Sequence, residues 1–112
     1  MIASVRRMGI DPNALLPRSR IEEAARAIGR SDPAAARHIV RRVAPAAVRS
    51  VSRRVLGDPE LRSDAERYVR GFAGRLADTA RGGDVADVQA QLTTDEGRAF
   101  MLLDAAVGDV AG

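Results

Sequence analysis

The sequence predicts an all-α fold of five or six helices in one domain spanning 1–112, and three observations predict it. Apolar residues recur at helical spacing in every sizeable stretch. Glycines and Asp–Pro pairs punctuate the chain at intervals that suit helix ends and helix starts. No stretch alternates with a period of two residues and β-branched enrichment, so no strand is expected. At 112 residues the length suits a single core, built largely from small side chains because only Tyr68, Phe72 and Phe100 are aromatic.

Taken in order, residues 2–8 can form two helical turns that Gly9 ends, and Asp11-Pro12 opens a short segment stopped by Pro17. Ser19-Arg20-Ile21-Glu22 has the form of a capping box, in which serine accepts from the Glu22 amide and glutamate reaches back to the serine amide. The helix it would open carries Ile21, Ala24, Ala25 and Ile28 on one side and Glu22 four before Arg26. Gly29 suits the left-handed position after its last turn.

Asp32-Pro33 then starts the predicted longest element, one helix over 33–56 kinked near Pro45. On a wheel at about 100° per residue, Ile39, Val40, Val43, Ala44, Ala47, Val48, Val51 and Val55 cover one sector. His38, Arg42, Arg49 and Arg53 gather opposite, with Arg37 and Arg41 at one edge. Pro45 removes one ladder bond, but the apolar face keeps its phase across it, which favours a kink over a break.

Gly57, Asp58 and Pro59 repeat the punctuation, and a helix over 59–81 aligns Leu61, Ala65, Tyr68, Phe72 and Leu76, with Asp58–Arg62 and Glu66–Arg70 pairs on its wet side. Gly71 and Gly74 lie inside it, each costing about 1 kcal/mol relative to alanine; neutral drift or a slight bend accounts for them, the alternative being close approach by a second helix, from this chain or another subunit. Gly82-Gly83 breaks the chain, Asp84 caps a short helix bearing Val85, Val88 and Leu92, and the run 93–96 caps a last helix that Gly108 closes, leaving a frayed tail.

Charge is divided unevenly. Every basic residue is arginine; residues 1–56 hold twelve of them against four acids, a net +8, while residues 57–112 hold six against eleven, a net −5. Between 33 and 56 there are six arginines and no acid. Such a split predicts an acidic partner for the first half or contact between opposed halves. The absence of cysteine excludes disulfides and thiolate chemistry, no apolar run approaches the roughly 18–20 residues of a membrane span, and no secretory signal opens the chain, so a cytoplasmic location is expected.

Catalysis finds little to work with. His38 is the only histidine and stands on the arginine side of its helix. Asp11, Asp32, Asp58, Asp84, Asp95 and Glu96 stand where helices begin and are explained by capping and the macrodipole. Asp104 and Asp109 have no such explanation, but two separate acids form no site. No nucleotide-loop or metal-ligand spacing occurs, so the chain is expected to be non-enzymatic, without cofactor, metal or small-molecule substrate.

The segment 21–40 resembles a helix-turn-helix: Ala25, Gly29 four residues on, then Ser31, Pro33 and a second helix entered through small residues and Arg37. The resemblance implies that Ala34, Arg37 and Arg41 face DNA and that Arg42 reaches phosphate. Arg30, in place of an apolar residue, and His38, where the motif turns a side chain inward, depart from it. The expected function is therefore a small regulatory binding protein engaging DNA through Arg37, Arg41, Arg42, Arg49 and Arg53. The competing expectation is a protein-interaction module, self-assembling as a homo-oligomer or docking an acidic protein through its charge-opposed halves.

Overall fold

The computed structural model describes residues 1–111, with side chains through residue 107. Among the described residues there are eight helices and no strand: α1 (Ile2–Arg7), α2 (Pro12–Leu15), α3 (Arg18–Gly29), α4 (Pro33–Val43), α5 (Pro45–Leu56), α6 (Pro59–Arg81), α7 (Val85–Thr93) and α8 (Asp95–Ala111). The all-α class stands, while the expected count of five or six does not.

Most helix starts follow from local chemistry. A free N–H in the first turn takes a side-chain oxygen where water would otherwise serve. Asp11 accepts from the Asn13 amide at 3.1 Å, Asp32 from Ala35 at 3.1 Å, Asp58 from Glu60 and Leu61 at 3.1 and 3.2 Å, and Asp84 from Ala86 at 2.9 Å. Thr94 accepts from the Gly97 amide at 3.0 Å at the head of α8. The Ser19 capping box is not formed. Pro17, extended at φ −68° and ψ 155°, is the N-cap of α3 instead, and its carbonyl takes the Arg20 and Ile21 amides. This puts Ser19 inside the helix. Glu22 reaches across to the Gln89 amide group at 3.4 Å rather than to Arg26. Likewise Glu66 pairs with Arg62 at 3.0 Å and not with Arg70.

The expected 33–56 helix is broken at Pro45. Ala44 adopts φ −133° and ψ 58°, outside the helical region, because the ring of a following proline disfavours helical backbone at the residue before it. Pro45 then serves as the first residue of α5, where its missing N–H costs nothing. The break leaves α6, at 23 residues, as the longest helix. Another correction concerns α8, which runs through Gly108 to Ala111. Gly112, the last residue of the expected frayed tail, lies outside the described residues, as does the Asp109 side chain.

The helix about which the molecule is arranged is α8. It packs against α1, α2, α4, α5, α6 and α7, while α3 lies against α4, α6 and α7. From 99 to 107 its residues are buried except Asp104, which is partly so, and a helix that is apolar all round belongs in the interior. Leu102 and Leu103 join Leu16, Ile21, Leu76 and Leu92 among the fully buried side chains. The α6 stripe meets α8 through aromatic rings: Phe72 stacks on Phe100 at 4.8 Å and on Tyr68 at 6.2 Å, and the Tyr68 hydroxyl donates to the Glu96 carbonyl at 2.7 Å. At the head of α8, Asp95 receives Arg6 at 3.4 Å and the Asn13 side chain at 3.1 Å, tying α1 and α2 down.

Glycine is needed at a position the sequence does not advertise. A Cβ on Gly97 would stand 2.6 Å from the Leu92 Cα and closer still to the Gln91 carbonyl oxygen, so the backbone of α8 can cross the end of α7 only without a side chain there. Gly71 and Gly74, by contrast, are exposed, and among the described residues of this chain no second helix packs on them.

Candidate nucleic-acid interface

The turn between α3 and α4 is Arg30-Ser31-Asp32, closed by two bonds: the Asp32 amide to the Ala27 carbonyl at 2.9 Å and the Ser31 amide to the Ile28 carbonyl at 2.9 Å. This is the Schellman arrangement, and its left-handed residue is Ser31 at φ 61°. Gly29, expected to hold that conformation, is the last helical residue. Its lack of a side chain serves packing instead, since a Cβ there would meet the Val85 Cγ2 of α7 at 3.1 Å.

The register of α4 follows from its buried residues. Ala36 and Val40 face the core, so positions one helical turn apart on the far side, Ala34, His38 and Arg42, point to solvent. His38 is therefore outside where the helix-turn-helix resemblance would turn it inward, and α4 is rotated about its axis relative to that motif. The same rotation carries Arg37 and Arg41 towards α8. Arg37 Nε donates to the Asp104 carboxylate at 3.2 Å, and Arg41 donates to the Ala105 carbonyl at 3.1 Å.

Burial governs the chemistry of this contact. The Asp104 side chain is 13 % exposed. Desolvation pushes its carboxyl above the ordinary carboxylate range, opposed by the charge and hydrogen bond of Arg37 and by the charge of Arg41.

Of the five arginines singled out from the sequence, three remain outward. Arg42 on α4 and Arg49 and Arg53 on α5 are exposed and form no ion pair among the described residues. Arg49 and Arg53 are one helical turn apart and share a row on α5. Arg54 beside them and Arg30 at the turn are exposed and unpaired among the described residues as well. The wheel drawn for a single helix could not foresee Arg37 and Arg41 turning inward, because that depends on where α8 lies.

No group of three or more metal-ligating side chains occurs among the described residues, and no described helix is long and apolar enough to cross a membrane. A second feature has no signal in the sequence: a half-open cavity of about 460 Å³ lined by α3, α4, α6 and α8, with Arg37 and Asp104 on its wall. The chain matches no family model, curated protein or solved structure, so neither site takes support from a relative.

Proposed function

We propose that the protein is a small non-enzymatic DNA-binding protein that grips the phosphate backbone through α4 and α5. The observation that carries this reading is a 25-residue stretch, 33–57, without an acid, whose outward arginines Arg42, Arg49, Arg53 and Arg54 form no ion pair among the described residues. Guanidinium groups left in solvent at this density suit phosphate oxygens, which they can grip with two parallel bonds. Arg37 and Arg41 are withdrawn from the contact set. With them goes the base-reading row implied by the helix-turn-helix resemblance, which leaves phosphate contacts as the main source of affinity. The opposed charges of the two halves meet partly inside the molecule, through Arg6–Asp95 and Arg37–Asp104, which weakens the drive for head-to-tail assembly.

Four phosphate contacts set the expected salt dependence. A slope of about −0.9 per contact predicts a loss of roughly 10²-fold in affinity for duplex DNA between about 50 and 200 mM salt. A fluorescence-anisotropy titration with a random-sequence duplex measures it. Substituting Arg42, Arg49 and Arg53 together by glutamine should cut the slope to about one-quarter, whereas Arg62→Gln on α6 should leave it unchanged. Absence of binding at about 50 mM salt, where the electrostatic contribution is largest, overturns the reading. Sedimentation of the free protein distinguishes the competing assembly: a salt-sensitive dimer without DNA affinity points to protein contacts instead.

A further inference from the structure

We propose that the cavity between α3, α4, α6 and α8 binds a small apolar carboxylate, its hydrocarbon body among the core side chains and its head on Arg37. This goes beyond the nucleic-acid reading and stands without it. Ligand pockets run to about 300–1,000 Å³, and this half-open cleft, at about 460 Å³, falls within that range. Its deeper wall is apolar, from Ile28, Val40, Leu76, Phe100 and Met101. Its width comes from alanines: Ala73, Ala77 and Ala80 of α6 line one side and leave the space that longer side chains would fill.

The polar part of the wall favours an anion. Arg37 gives only its Nε to Asp104, and its two terminal nitrogens have no hydrogen-bond partner among the described residues. With its side chain 32 % exposed, the group remains within reach of a ligand, and the paired terminal nitrogens match a carboxylate geometrically. Arg81 lies on the same wall, held by Asp78. Arg81 and Asp104 are each engaged by an opposite charge, so the terminal nitrogens of Arg37 are what a ligand head meets, and these donors suit an anionic acceptor rather than a cation.

Calorimetric titration of the whole protein with octanoate and with 1-naphthoate, each against the corresponding neutral alcohol, tests the proposal. At least one carboxylate should bind with a Kd below about 1 mM and about tenfold more tightly than its alcohol. Replacing Arg37 by Gln together with Asp104 by Asn, which leaves no charge unpaired, should abolish that preference and retain weak binding of the apolar body. Ala77→Phe, at an exposed lining position, should abolish binding of both; Ala73→Leu serves where circular dichroism shows that variant unfolded. Failure of both carboxylates to bind at about 5 mM, equal affinity for acid and alcohol, or undiminished binding by a folded cavity-filling variant each overturns it.

Discussion

Asp104 is the one charged residue in the run 99–107, and it holds its place because Arg37 reaches it from α4. Burial raises its proton affinity, so the folded chain holds that proton more tightly than the unfolded one. Its contribution to stability is then fullest below the unfolded value and fades as pH rises through the folded value. Asp104→Asn removes the titration while keeping an acceptor for Arg37. Urea unfolding of both proteins over a pH series should show the wild type gaining on the variant as pH falls from neutral into the carboxylate range; a pH-independent gap contradicts this assignment. Gly97 offers a steric counterpart. The added methyl of Gly97→Ala would press on main-chain atoms of Gln91 and Leu92 that cannot rotate away, so a loss of about 3 kcal/mol is expected, read as a fall in Tm of roughly 10 °C.

At the scale of the helix, chemistry that acts over three or four residues was legible and chemistry that depends on neighbours was not. Asp32-Pro33 and Asp58-Pro59 mark the starts of α4 and α6 because an aspartate oxygen and the next few amides are all the motif requires. The bounds of α6, Pro59–Arg81, could be read off for the same reason. The break at Pro45 is hidden from the sequence because an apolar phase that continues across a proline does not oblige the backbone to do so; Ala44 loses no helical bond by leaving the helix, as its own amide still reaches Val40 at 2.9 Å. Ser31 is not legible as the left-handed residue because that position of a Schellman turn is usually glycine, and Gly29 stands two positions away. A non-glycine residue in that conformation is strained by about 1–2 kcal/mol, so Ser31→Gly should stabilise the protein by about 0.5–1 kcal/mol once glycine's extra freedom in the unfolded chain is counted. Denaturant unfolding with an unchanged m-value is the measurement, and a destabilised variant would show that the serine side chain contributes something further.

For the whole molecule, the placement of α8 decides which residues matter. An apolar patch such as Phe100, Met101, Leu102 and Leu103 declares that it is buried, but not that six other helices pack around it. The same limit explains the candidate sites: outward arginines on α4 and α5 follow from periodicity, whereas the inward turn of Arg37 and the cavity behind it require the positions of α3, α6 and α8 together. Truncation should report this hierarchy. Leu102→Ala, at the centre, should cost about 2–5 kcal/mol, while Leu61→Ala, half-buried near the start of α6, should cost about 1 kcal/mol. Similar losses at the two positions in denaturant titrations would contradict a fold centred on α8.

Although most of the other helices pack on α8, it follows all seven of them in chain order among the described residues. As the chain leaves the ribosome, α4 already has α3 to pack on, but the parts of the α4 and α5 valine faces that meet α8 stay uncovered until residues 95–107 follow. A pause in translation before position 95 is therefore expected to prolong the interval in which that apolar surface is sticky and open to proteases.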